Sequence, residues 1–127
     1  MNVPTDLKYT PNDEWIKAED GVGVVGIPDF AQAQLSDIVF VEILVAVGDE
    51  VKAGDACATI ESVKAAADVY MPASGKIIEI NESLPDSPEL LNAEPFAGAW
   101  LVRLALSDPG ELDGLLDAAA YSAKIEE

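Results

Sequence analysis

The 127-residue chain predicts a mainly β fold: two small antiparallel sheets packed as a sandwich or barrel, with short helices and one C-terminal helix. Three observations lead there. Short runs rich in valine, isoleucine and aromatic residues, the side chains that suit a pleated surface, follow one another along the chain. Glycine, proline and aspartate punctuate them at close, fairly even intervals, which suits hairpins and leaves no room for the long crossovers of a parallel sheet. Half of the residues are hydrophobic, enough for one modest core and hence one domain over residues 1–127.

The elements follow in order. "EWIKA" (14–18) and "GVGVVGI" (21–27) flank "EDG", an expected hairpin turn. After Pro28, "DFAQAQL" (29–35) reads as two helical turns with Asp29 as N-cap. "FVEILVAV" (40–47) is an expected strand, largely buried. Gly48 and Gly54 read as turn formers, and Gly75 as a third, all permitting positive φ. "ACATIE" (56–61), "ADVYM" (67–71), "GKIIEI" (75–80) and "AWLVRLAL" (99–106) read as strands. The stretch 81–95 is mostly irregular, with one helical turn over 88–91 opened by Ser87-Pro88. "SDPGELDGLLDAAAYSAKI" is the strongest helical segment. Asp108 caps it, Pro109 takes its first position, and Leu112, Leu115, Leu116 and Ala119 share a face that packs on the sheet. Trp15 and Trp100 read as core aromatics at strand ends.

Composition excludes several functions. With 24 Asp+Glu against 7 Lys+Arg, the formal charge is −17, so the surface repels phosphate backbones and anionic membranes. The same charge suits partners with basic docking patches and favours a soluble monomer. Histidine is absent, which removes the commonest general base and the commonest metal ligand. The single cysteine, Cys57, lies in "ACATI" and reads as a buried packing thiol rather than a nucleophile. No apolar run reaches the ~18 residues of a membrane helix. "MNVPTDLKYTPNDEW" has the pattern of neither a signal peptide nor an organelle presequence, so a cytoplasmic location is expected.

One cation stands apart. In "TIESVKAAADVY" (59–70) Lys64 falls between two expected strands, on a hairpin turn near 62–66, with Ser62, Ala65 and Ala66 leaving the turn uncrowded. A Schiff-base lysine needs a lowered pKa, whereas nearby Glu61 and Asp68 push the other way. An exposed lysine on a rigid turn is better suited to modification by another enzyme.

Here a resemblance becomes specific. "ESVKAAADVYMPASGKIIEIN" resembles the lipoyl-attachment segment of the glycine cleavage system H proteins. "LKYTPNDEW", "VGIPDFAQAQLSDIVFVEI", "GDEVKAGD", "SPELLNAEPFAGAW" and "ELDGLLDAAAY" are similar to that family in order and spacing, over nearly the whole chain. Biotin carriers differ in having methionines beside the lysine, where this chain has Val63 and Ala65. Lipoyl domains of the 2-oxo-acid dehydrogenases are shorter and usually place aspartate before the lysine. The resemblance implies a barrel-sandwich hybrid fold and a lipoate amide-linked to Lys64, with Glu61, Ser62, Val63 and Ala65 framing the attachment point. It implies a shuttle, not an enzyme. The partners it implies are a pyridoxal-phosphate-dependent glycine decarboxylase, a tetrahydrofolate-dependent aminomethyltransferase, dihydrolipoamide dehydrogenase and lipoate-attachment enzymes. Glu14 and Asp68 are candidates to hold the cationic aminomethyl cargo by charge-assisted hydrogen bonds; the competing reading leaves both as solvated edge carboxylates. Asp13 stands where the family commonly has histidine, Ala99 where glycine is common, and Pro28 where threonine is frequent. Two other functions fit the same lysine: a relay donating lipoyl groups to other complexes, and an unmodified interaction module.

Overall fold

A computed structural model describes residues 3–96 and 98–125. Among them, nine strands form two antiparallel sheets. The strands are β1 (Lys8–Tyr9), β2 (Trp15–Glu19), β3 (Val22–Gly26), β4 (Ile38–Ile43), β5 (Glu50–Val51), β6 (Ala56–Ser62), β7 (Ala66–Tyr70), β8 (Gly75–Ile80) and β9 (Val102–Leu106). The larger sheet has the order β1-β2-β3-β9-β8-β5 and the smaller β4-β6-β7. The β2–β3 hairpin turns at Asp20 and Gly21, both at positive φ, the backbone twist that two-residue hairpins favour. Gly48 and Gly54 also take positive φ.

The core lies between the two sheets. Ile16, Val25, Ile77, Val102 and Leu104 of the larger sheet bury against Val41, Ala58, Ile60 and Val69 of the smaller one. Cys57 is buried in the same cluster. A second cluster joins β1 and β2 to the C-terminus: Tyr9 and Tyr121 stack with ring centroids 4.5 Å apart, beside Leu7, Trp15 and Ala118.

Several expectations need correcting. β4 is not largely buried. Ile38 and Val41 are, but Val39 is 57 % and Phe40 43 % exposed, because this sheet covers the core with one face and turns the other to solvent; Leu44, beyond the end of β4, is 48 % exposed. Asp29 is the first residue of helix α1 (Asp29–Leu35), not its N-cap; Pro28 holds that position with no side-chain cap. The Asp29 carboxylate instead accepts from Gln32 Nε2 within the first turns (2.7 Å). The turn at 88–91 is displaced to α2 (Leu90–Ala93). The C-terminal segment is two helices. A 3-10 helix (Pro109–Gly114), with Asp108 accepting from Gly110 N as expected of a cap, precedes α3 (Ala118–Ile125). Gly110 and Gly114 weaken a continuous helix, and Leu116 exchanges backbone hydrogen bonds with Tyr9. Leu112 and Leu115 then pack on the main core and Leu116 on the second cluster, while Ala119 faces solvent. Gly75 is a strand residue and not a positive-φ turn. Trp15 is a core aromatic, donating from Nε1 to the Ile27 and Pro95 carbonyls. Trp100 is only half-buried, under the Arg103 guanidinium at 4.4 Å.

Candidate functional site

The hairpin that displays Lys64 is built by its neighbours. β6 and β7 pair in register through Thr59–Asp68, Ile60–Ala67 and Glu61–Ala66, which leaves Val63, Lys64 and Ala65 as the tip. Ser62 closes it. The Ser62 N–H donates to the Ala65 carbonyl (2.7 Å), and Ser62 Oγ accepts from the Lys64 and Ala65 amides (3.2 and 3.0 Å). A serine folding its hydroxyl onto the next backbone amides makes a turn that needs no bulky support. The Val63 N–H donates to the Asp37 carbonyl (3.0 Å) and ties the tip to the approach to β4. Lys64 is exposed and, among the described residues, has no carboxylate in ion-pairing range.

Strand β7 leads from the tip into a cleft. Asp68 lies two residues beyond Ala66, about 7 Å along a strand, and accepts from Thr59 Oγ1 (3.1 Å). It lines a cavity of about 170 Å³ together with Asn12, Asp13 and Glu14 of the β1–β2 connection, Gln34 and Leu35 of α1, and Ile60. The fold thus brings together Glu14 and Asp68, which the sequence leaves 54 positions apart.

The two carboxylates differ in character. Asp68 is exposed. Glu14 is 2 % exposed and is no solvated edge residue. Thr10 Oγ1 donates to Glu14 Oε1, and the Tyr70 N–H donates to Oε2 (3.3 Å). Burial pushes the Glu14 carboxyl up to about 7; the Thr10 and Tyr70 hydrogen bonds oppose this, and the charge of Asp13 adds to it. Asp13, at positive φ, accepts from Tyr121 Oη (3.0 Å), linking the cleft to α3. The Cys57 thiol is pushed up to about 12 by burial first and by Glu14 second, so it is no nucleophile near neutral pH.

Two supporting residues escape a reading of the sequence. Thr10 Oγ1 accepts from the Asn12 and Glu14 amides (3.2 and 3.1 Å) while donating to Glu14, and so folds the whole loop. The composition "TPND" signals a turn, but not that its threonine holds a carboxylate. Asn92 of α2 accepts from the Ile38 N–H (2.9 Å) and donates to Gln32 Oε1 and the Ser36 carbonyl (3.0 and 2.7 Å). It fixes α1, one wall of the cleft, against β4, and nothing local announces it. A larger groove of about 590 Å³ runs past Trp100 and Arg103, but it is lined by neither Lys64 nor the two carboxylates.

Comparison with known proteins meets this geometry. A sequence profile described as "Glycine cleavage H-protein" matches residues 7–127. The chain belongs to the glycine cleavage H-protein family. The glycine cleavage system H protein of Symbiobacterium thermophilum is 53 % identical over 126 residues, covering 99 % of this chain and 98 % of the relative. That of Escherichia coli O7:K1 is 54 % identical over 127 residues with the same coverage. Among solved structures, a glycine cleavage system H protein from Mycobacterium marinum is 34 % identical with a TM-score of 0.88, covering 98 % of this chain and 99 % of that one. Membership makes the chain a carrier protein of the glycine cleavage system and not a catalyst. Among the described residues no helix is long and apolar enough to cross a membrane.

Proposed function

We propose that the chain is the lipoate-bearing shuttle of glycine cleavage, working as one domain over residues 1–127, with lipoate amide-linked to Lys64 Nζ. The observation that carries this reading is an exposed lysine, without an ion pair among the described residues, on a braced hairpin tip one short strand segment from a cleft walled by carboxylates. Lipoate in that linkage supplies a dithiolane on a long arm, able to take up an aminomethyl unit and electrons. The chain's residues do the rest. Ser62 and the Val63–Asp37 hydrogen bond hold the amine away from the body of the protein. Glu61, Val63 and Ala65 frame it for the attachment enzyme. Glu14 and Asp68 receive the cationic cargo by charge-assisted hydrogen bonds, and Leu35 and Ile60 beside them limit water at the bound group.

The partners on this reading are a pyridoxal-phosphate-dependent glycine decarboxylase that loads the carrier, a tetrahydrofolate-dependent aminomethyltransferase that unloads it, and dihydrolipoamide dehydrogenase. They meet a monomer in the cytoplasm, whose net charge of −17 fits basic docking patches and speeds encounter. A relay that only passes lipoyl groups on needs the same lysine but gives the buried Glu14 in the cleft no task, so the cleft favours the shuttle.

The test is intact mass. Chain produced in lipoate-replete cells is expected to gain about 188 Da, the mass of a lipoyl group in amide linkage, and Lys64→Arg is expected to abolish the gain. An unchanged wild-type mass, or a gain that survives in Lys64→Arg, removes the attachment site.

A further inference from the structure

Glu14 is buried and, among the described residues, makes no ion pair with a cation. From its own segment it feels the carboxylate of Asp13, and Asp68 of β7 lines the same cavity. From β6 comes the Cys57 thiol and from α3 the Tyr121 phenol, both neutral at physiological pH because burial raises them. α1 presents Gln34, which is uncharged. Among the described residues, Thr10 Oγ1 and the Tyr70 N–H are the groups that favour the ionised form. A buried carboxylate among other carboxylates is stable when it is neutral or when a cation joins it.

Resting on the reading of this cleft as the cargo site, we propose that docking is a proton exchange: Glu14 holds a proton while the cleft is empty and yields it as the aminomethyl ammonium enters. The Glu14 O–H bond breaks, the proton leaves to water past exposed Asp68, and an ammonium N–H donates to the carboxylate in its place. One positive charge enters as one leaves, so the charge of the cleft is unchanged. Docking strength then depends on pH in a set direction. Below the Glu14 midpoint the ammonium must displace a proton, and the apparent docking constant falls about tenfold per pH unit; above it the constant levels off.

Carbon-detected NMR of the unmodified chain, with the Glu14 carboxyl assigned through Glu14→Gln, reads the first half directly. A midpoint near the expected value of about 7 supports the exchange, and one near the ordinary glutamate value of 4.5 overturns it. The second half uses the lipoylated chain with and without its aminomethyl cargo. The Glu14 midpoint is expected to drop by more than one pH unit on loading, and an unchanged midpoint overturns the proposal. Cargo lifetime in water separates the two readings. If lifetime depends on Glu14 but not on pH between about 6 and 8, the cleft stands and only the exchange fails. If wild type, Glu14→Gln and Asp68→Asn lose cargo equally fast at every pH, the cleft reading falls and the exchange with it.

Discussion

A carboxylate buried without a counter-ion makes folding depend on pH in the opposite sense to a salt-bridged acid. Glu14 binds its proton more tightly in the folded chain, near pH 7, than at its ordinary value of 4.5. Its favourable contribution is therefore complete below about pH 4.5 and lost as the pH rises through about 7. The chain is expected to be more stable to urea at pH 5.5 than at pH 8, with Glu14 supplying on the order of 2 kcal/mol of the difference. Glu14→Gln keeps the shape and removes the titration, so its two urea midpoints should lie closer together. A variant with the wild-type spread would show that Glu14 is not the source. At this scale Lys64 was legible, because two β-branched runs left only a short turn for it. Glu14 was legible as a candidate, but its burial was not, since that depends on Tyr70 and Leu35, far along the chain.

Among the elements, β8 shows how the backbone itself sets a sequence requirement. A Cβ added at Gly75 would lie 2.2 Å from the Ala105 carbonyl oxygen and 2.9 Å from a Leu104 methyl. Gly75 pairs with Leu106 where β8 meets β9, and with Val51 on its other side. Backbone cannot move aside as a side-chain end can, so Gly75→Ala should cost more than about 2 kcal/mol. The measurement is a thermal melt, and a loss as small as that of an exposed-strand substitution would mean that β8 and β9 can separate locally. Strands were readable wherever glycine or aspartate bounded a β-branched run: β8 lies where expected, and β6 and β7 differ only at their ends. The C-terminal helix was misread because helical spacing of leucines gave no sign that Leu116 would leave the helix to bridge Tyr9. The cap of α1 was misread because Pro28 already fixes the entry to the helix.

For the molecule as a whole, charge is the dominant constraint. Against a net charge of −17, the described ion pairs are Lys17–Asp6 at 3.6 Å and Arg103–Glu79 at 3.0 Å. Both are exposed, and each is worth less than about 1 kcal/mol. Self-repulsion should therefore weaken the fold at low ionic strength. Raising sodium chloride from about 20 mM to about 0.5 M, which shortens the screening length to about 4 Å, is expected to raise the melting temperature by several degrees. A flat or falling melting temperature would place the cause of stability elsewhere. Two antiparallel sheets around one core were readable from pattern alone, since a short strand with one apolar face has few other ways to bury it. The partition into six and three strands was not, because it depends on which distant strands pair, β3 with β9 and β8 with β5. Sealing Cys57 inside that core has an electrical consequence if Lys64 carries the dithiolane proposed above. Thiol–disulfide exchange needs an accessible thiolate, and the chain's single thiol is fully buried. On the lipoate reading proposed above, the scaffold is thereby insulated from its arm: a dithiolane at Lys64 meets no accessible thiol on the carrier with which to exchange.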